Sequence, residues 1–211
     1  MARTLVATLG FDADLVLRRV RQGGYGRIKC LALRVDDASF RRVENAFATV
    51  EFVADRLSVP AELRAFEPGR GLVRGVLAEL ESELARGADE VELYLSGGPR
   101  LLVVAALIAS LLVHPSFADR VRVVVEGEGF EASLEAPAGW LKRLASLTSE
   151  EVEVLNYVAG VGRARPPELA RDLGLPKATA YKRLRKLAEE GLLAQEGDYY
   201  TVSKTLHDAL Y

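Results

Sequence analysis

The passage from residue 91 to residue 109 narrows the fold most. Val91, Leu93 and Leu95 alternate with Glu92, Tyr94 and Ser96, and Gly97-Gly98-Pro99-Arg100 then opens the apolar run Leu101-Leu-Val-Val-Ala-Ala-Leu-Ile-Ala. A strand that empties through paired glycines into a helix is an α/β phosphate-site architecture. Glycines let the backbone approach a ligand, and a helix start presents N–H groups without intrahelical partners. Pro99 suits the first helical turn, where a missing N–H costs nothing, and Arg100 adds a fixed positive charge. An anionic ligand is expected at this turn. A tight connection that binds nothing satisfies the same residues, because a double glycine is not a specific motif.

The rest of the N-terminal two-thirds alternates strands and helices around this unit. Residues 5–8 predict a first strand, 13–21 a helix with Asp12 as its N-cap, 28–35 a second strand and 39–57 a helix burying Phe40, Val43, Phe47, Val50 and Val53 or Ala54. A third strand is expected at 62–66, a helix at 72–86 and a fifth strand at 120–126; residues 127–129 then turn the chain into a hairpin strand at 130–135. This order predicts a Rossmann-like, mostly parallel α/β sheet covered by helices on both faces. It is assigned to residues 1–136, with 137–146 as a linker in which Trp140 packs at a domain or subunit contact.

Ligands on such sheets sit beyond the carboxyl ends of the strands, where strand order reverses. Three exit loops carry suitable chemistry: Thr8-Leu9-Gly10-Phe11-Asp12, Pro68-Gly69-Arg70-Gly71 and Ser96-Gly97-Gly98-Pro99-Arg100. Phe11 is suited to stack on a base, Asp12 to accept from a base amine or a ribose hydroxyl, and the glycine backbones with Arg100 to hold phosphate. Closing the core is the plain alternative for Phe11, and capping a helix for Asp12. No G-x-G-x-x-G fingerprint occurs, which disfavours a dinucleotide coenzyme.

Composition excludes several classes. The single Cys30 has no partner in the chain, so a disulfide scaffold is excluded and a reducing interior expected, with Cys30 read as a small buried hydrophobe. The uncharged run 101–113 is too short to span a bilayer, and no leader pattern precedes the first strand; a cytoplasmic protein without a membrane partner is expected. Neither His114 nor His207 lies in a catalytic or metal-ligating pattern, so no metal is expected. Arginine outnumbers lysine 22 to 6, and Asn, Gln, Cys and Met are scarce, which fits a hot environment or a nucleotide bias.

From residue 147 the pattern changes to short helices and a hairpin. Thr148 with Glu151 three residues later predicts a capping box, followed by a helix with Val152, Leu155 and Val158 facing inward. Residues 168–193 match a helix-turn-helix, Gly174 making the turn and Leu169, Ala170, Leu173, Leu175, Leu184 and Leu187 its core. Residues 192–202 predict a two-stranded wing, and 203–211 a closing helix. Residues 147–211 therefore form a winged helix-turn-helix domain. Its second helix carries Lys177, Lys182, Arg183, Arg185 and Lys186 without an intervening acid. Lys177, Ala178, Tyr181 and Lys182 lie toward the end that meets base edges in a major groove; Thr179, Arg183 and Arg185 suit phosphates, and Tyr199 or Tyr200 projects from the wing. A protein-contact module with a solvated charge run is the alternative.

Taken together, the opening Thr8-Leu-Gly-Phe-Asp12, Leu17-Arg18-Arg19 on the first helix, the strand end Leu95-Ser96-Gly97-Gly98-Pro99-Arg100, a Glu126-Gly-Glu-Gly129 hairpin and the winged helix resemble a known family. It is that of the archaeal, type I-A associated CRISPR transcriptional regulators, which fuse a CARF (CRISPR-associated Rossmann fold) domain to a winged helix. The resemblance implies a homodimer whose paired CARF domains bind a cyclic oligoadenylate, the four-membered ring first among them, and which acts on promoters of CRISPR genes in antiviral defence. CARF turns often carry a lysine after the glycines. Pro99-Arg100 keeps a cation here but departs from that pattern, which argues against ring cutting. Two other readings share the same loops: a ring nuclease using Ser96 and Arg100, and a regulator of some other nucleotide or metabolite.

Overall fold

The computed structural model describes residues 3–127 and 133–210. Two compact units divide the chain, Met1–Gly139 and Trp140–Tyr211. In the first, the elements in chain order are β1 (Arg3–Thr8), α1 (Asp14–Gln22), β2 (Tyr25–Leu33), α2 (Asp37–Arg56), β3 (Ala61–Phe66), α3 (Leu72–Ala85), β4 (Glu90–Tyr94), α4 (Arg100–Leu112), α5 (Pro115–Ala118), β5 (Val121–Glu126) and β6 (Ser133–Pro137). The sheet order is β3-β2-β1-β4-β5-β6. The first five strands are parallel, and β6 runs antiparallel on β5 with Leu134 opposite Val125. Of the expected hairpin, Glu128, Gly129, Phe130, Glu131 and Ala132 lie outside the described residues.

Strand order dictates where a ligand can sit. The chain winds from β1 outward through β2 and β3, then returns to the other side of β1 as β4, so the reversal falls between β1 and β4. One sheet face, with Leu5, Ala7, Ile28, Cys30 and Ala32, packs against Val16, Leu17 and Val20 of α1 and Phe40, Val43 and Val50 of α2. Cys30 is fully buried, and that burial pushes its thiol up to about 12. Helices α3 and α4 cover the opposite face.

The alternation in β4 does not mark a solvent face, because Glu92 and Tyr94 are 1% and 0% exposed. Glu92 accepts from Arg3, Arg19 and Tyr25 at 2.9, 2.5 and 2.6 Å. Burial opposes ionisation of Glu92, but the hydrogen bonds from Arg19 and Tyr25 hold its carboxyl below the usual range. Tyr94 donates to Glu126 at 2.8 Å, and Arg19 reaches the same carboxylate at 3.0 Å. A second buried cluster sits under α3, where Lys29 lies 2.6 Å from Glu79 and 2.7 Å from Glu83.

Helix ends differ from the sequence expectation in small ways with visible causes. Asp12 is not the N-cap of α1; that position is Ala13, and the Asp12 carboxylate accepts the Asp14 N–H at 2.8 Å. Asp36 caps α2 by accepting the Ser39 N–H, which starts that helix two residues before the apolar pattern does. The segment expected as a linker is largely helical, as α6 (Ala138–Ala145), and Trp140 within it is 4% exposed.

The second unit continues as α7 (Ser149–Val161), β7 (Arg163–Ala164), α8 (Pro166–Asp172), α9 (Lys177–Glu189), β8 (Leu193–Glu196), β9 (Tyr199–Val202) and α10 (Lys204–Leu210). The Thr148–Glu151 capping box forms, and the helix it starts buries Val154, Leu155 and Val158 while Val152 is 40% exposed. Gly174, at φ 64°, makes the turn between α8 and α9. The wing sheet has three strands, not two, because β7 pairs with β9 through Arg163 opposite Thr201 and Ala164 opposite Tyr200. Two residues are too few to show a period. Among the described residues, no helix is long and apolar enough to cross a membrane, and no group of three His, Cys, Asp or Glu side chains is placed to hold a metal.

Candidate functional site

A cavity of about 760 Å³ opens at the carboxyl ends of β1 and β4. Its floor is backbone: Gly10 from the β1 exit, and Gly97, Gly98 and Pro99 from the β4 exit. These loops touch so closely that a Cβ on Gly10 would lie 3.2 Å from the Gly98 Cα, and one on Gly98, at φ 86°, 3.2 Å from the Leu9 nitrogen. Packing of loop on loop thus already requires the glycines, before any ligand is considered. Thr8 fastens the pair by donating to the Gly97 carbonyl at 2.5 Å.

The walls divide by chemistry. Leu15, Leu33, Val35 and Val43 form an apolar side, while Asp12, Asp14, Arg18 and Ser39 supply polar groups. Phe11 stands between this cavity and a shallower hollow of about 400 Å³, with the Arg42 guanidinium 4.0 Å from its ring centroid. At 52% exposure Phe11 does not close the core.

Of the predicted ligand residues, the structure brings Gly10, Phe11, Asp12, Gly97, Gly98 and Pro99 to this one cavity. Thr8, Leu9 and Ser96 are buried behind it, and Ser96 accepts the Glu126 N–H through its hydroxyl at 2.6 Å. Arg100 is exposed at the first residue of α4. Gly69 and Arg70 are not on the cavity wall, because β3 lies two strands from β1 and its exit opens elsewhere on the sheet edge. His114 caps α5, accepting the Ser116 N–H.

On α9 the predicted DNA residues separate into two groups. Lys177, Ala178, Tyr181, Lys182 and Arg185 are exposed, Thr179 and Arg183 partly so, and Ala180, Leu184 and Leu187 face the core. Arg183 lies 3.7 Å from Glu150, Arg185 lies 2.8 Å from Glu189, and Lys186 pairs with Glu151. Lys177 and Lys182 have no carboxylate partner among the described residues. On the wing Tyr199 is half-buried, whereas Tyr200 is 1% exposed and so does not project.

Comparison with family models gives two matches. Residues 3–135 match the Csa3 CRISPR-associated Rossmann-like domain, and residues 152–197 the IclR helix-turn-helix domain. This chain belongs to the Csa3 family. The chain thus joins a Csa3-type domain to a helix-turn-helix domain, in the order that the sequence resemblance implied. Among curated proteins, none matches the chain significantly.

Solved structures supply further likenesses, one of which reaches the level that shows a shared fold. Protein VC1899 from Vibrio cholerae superposes with a TM-score of 0.50 at 12% identity, over 98% of this chain and 66% of that one. Csm6 from Enterococcus italicus, bound to cyclic hexa-2'-fluoro-hexa-dAMP, gives 0.47 at 12% identity over 90% and 49% of the two chains. Can2 from Sulfobacillus thermosulfidooxidans, in complex with cyclic tetra-adenylate, gives 0.42 at 14% identity over 98% and 62%. This Csa3-family chain therefore spans between about half and two thirds of each of those proteins.

Sequence reasoning missed the apolar wall of the Csa3-family cavity. Leu33 and Val35 sit at the exit of β2, next to the switch point, and the rule that selected the β1 and β4 exits applies to it as well. Leu15 and Arg18 lie three residues apart on α1 and so share one helix face, a signal present in the sequence.

Proposed function

We propose that this Csa3-family chain is a homodimeric, ligand-responsive transcriptional regulator of CRISPR genes in the cytoplasm, which takes a cyclic oligoadenylate at the β1/β4 crevice and binds duplex DNA through α9. The 760 Å³ cavity at the switch point carries this reading, because it combines the groups that a nucleotide needs. Leu15, Leu33, Val35 and Val43 present apolar surface to a base, and Phe11 a ring face. Helix α4 starts without a side-chain cap, which leaves its first N–H groups to a phosphate, with Arg100 beside them. One Asp12 oxygen remains for a ribose hydroxyl or a base amine.

The outer side of α4 supports the dimer. Leu101, Val104, Ile108 and Leu112 recur along one stripe and are 53, 53, 42 and 56% exposed. A second copy of this helix is the occupant proposed for the stripe. Because α4 begins at the cavity, an isologous contact through it brings two cavities to one axis. A cyclic tetra-adenylate, with its approximate two-fold symmetry, then meets the same loops twice, and the same axis presents two α9 helices to a pseudo-palindromic operator. Ligand and DNA affect each other only as far as the ring distinguishes two arrangements of the dimer, typically about 1–3 kcal/mol. The reading assigns no catalytic residue: the Ser96 hydroxyl is committed to the Glu126 backbone inside the domain.

Calorimetric titration with cyclic tetra-adenylate, with linear oligoadenylate as control, tests it. One ring per dimer is expected, recovered uncut. Arg100→Ala should weaken binding about ten- to a hundredfold while duplex binding without ligand is kept. If no cyclic oligoadenylate binds, the ligand assignment fails and the DNA-binding assignment stands on its own assay.

A further inference from the structure

We infer that Arg163, carried on the short strand β7 and stacked on Tyr199, is a DNA-phosphate contact of the wing, outside the recognition helix. The inference rests on the DNA-binding reading above. Its first support is the distribution of charge in the second unit. Residues 147–210 hold nine Lys and Arg. Arg165, Arg171, Arg183, Arg185, Lys186 and Lys204 each have a carboxylate within 4 Å. Among the described residues only Arg163, Lys177 and Lys182 have none. Two of those three lie on α9, and the third is Arg163.

The wing hairpin cannot supply this contact itself. From Leu192 to Ser203 it carries Glu196 and Asp198 and no Lys or Arg, so its turn repels a polyanion. The nearest positive charge on the three-stranded sheet belongs to β7. Pairing places Arg163 opposite Thr201 and Ala164 opposite Tyr200. Ala164 and Tyr200 are each 1% exposed, so Arg163, Tyr199 and Thr201 share the outer face.

Stacking makes Arg163 a prepared donor. Its guanidinium carbon lies 4.8 Å from the Tyr199 ring centroid, and that of Arg165 lies 5.2 Å from the same ring. Arg165 spends its edge on Glu168, at 3.0 and 2.6 Å. Arg163 does not: no carboxylate lies within 4 Å of it among the described residues, so its N–H groups are left for phosphate oxygens while the guanidinium carbon sits over the ring. Holding the side chain over the ring also lowers the entropy lost on binding.

The test is binding of the full chain to a generic 30-base-pair duplex across a series of KCl concentrations. Arg163→Ala should weaken binding roughly three- to tenfold and reduce the slope of log K against log[salt] by about 0.9, the value for one phosphate. Lys182→Ala serves as the α9 comparison and should do the same. Lys204→Ala, whose residue pairs with Asp208 on α10, should leave the slope unchanged. Thermal unfolding checks that each variant is folded, and Arg163→Gln, which keeps the stem over Tyr199, stands in if the alanine variant is not. Wild-type slope in both Arg163 variants overturns the inference, as does an equal fall in Lys204→Ala, which would make the change one of net charge. A wild-type chain that binds no duplex overturns the DNA reading itself, a distinct result.

Discussion

Glu92 in the sheet unit and Glu189 on α9 both pair with an arginine, yet the Glu92 side chain is 1% exposed and the Glu189 side chain 63%. Around Glu92, Arg3, Arg19 and Tyr25 converge from three elements, and burial followed by the Glu92 contact pushes the Tyr25 hydroxyl up to about 12. Around Glu189 there is Arg185, one turn away on the same helix, and solvent. Buried charges interact strongly but lose their hydration, so such a cluster contributes little net stability while leaving few alternative arrangements of α1 against β4. Exposed pairs cost little to form and little to exchange. The Glu92 cluster thus uses charge to fix how α1, β1, β2 and β4 pack, whereas the Arg185–Glu189 pair on α9 stays exchangeable with solvent.

The largest expected effect comes from breaking the first arrangement. Glu92→Ala removes the buried carboxylate that Arg19, Arg3 and Tyr25 share, and the sheet unit should lose about 3–5 kcal/mol in urea unfolding. Glu92→Gln, which still accepts from Tyr25, should lose less. Should Glu92→Ala cost under 1 kcal/mol, the cluster is solvated in solution and the contrast between the units collapses.

That contrast was only partly legible in the sequence. Element order, the parallel sheet and the helix-turn-helix follow from hydrophobic periods that burial enforces, and they were readable. The cluster was not, because Arg19 and Glu92 lie 73 residues apart and nothing in either local pattern announces the pairing. The same holds for the cavity. Its glycine floor is local and was readable, whereas its apolar wall is assembled from α1, β2 and α2 and depends on strand order. Burial of Glu92 on the polar side of the β4 alternation has the same origin, since its partners Arg3, Arg19 and Tyr25 come from other elements.

An intermediate case sharpens the comparison. Glu151 is 6% exposed, accepts the Thr148 N–H at 2.9 Å and pairs with Lys186 of α9. Lys186, then the Thr148 N–H, lower its carboxyl from an ordinary 4.5 to about 2. A depressed folded-state pKa contributes stability that is complete above the ordinary value and lost as pH falls through it toward about 2. Glu151→Ala removes both the cap and the pair and should cost about 1–2 kcal/mol at neutral pH. Glu151→Gln retains the cap and should flatten the acid limb of the stability curve between about 4.5 and 2. An unchanged acid limb in the glutamine variant would show that another carboxylate governs it.

The smallest effects belong to the exposed pair, and there the sign of two readouts carries the information. Arg185→Ala should change stability by no more than about 0.5 kcal/mol, since a surface pair four residues apart on a helix contributes about that much. Glu189→Ala should be equally mild for stability. For generic duplex binding the two should diverge: removing Glu189 deletes an acid from the α9 surface and frees Arg185, so binding should strengthen about two- to fivefold, while removing Arg185 should weaken it. Such a divergence would mean that Arg185 exchanges its carboxylate for phosphate on contact with DNA. Equal, near-zero effects in both variants would leave α9 binding through Lys177 and Lys182 alone, with the Arg185–Glu189 pair a feature of the helix surface.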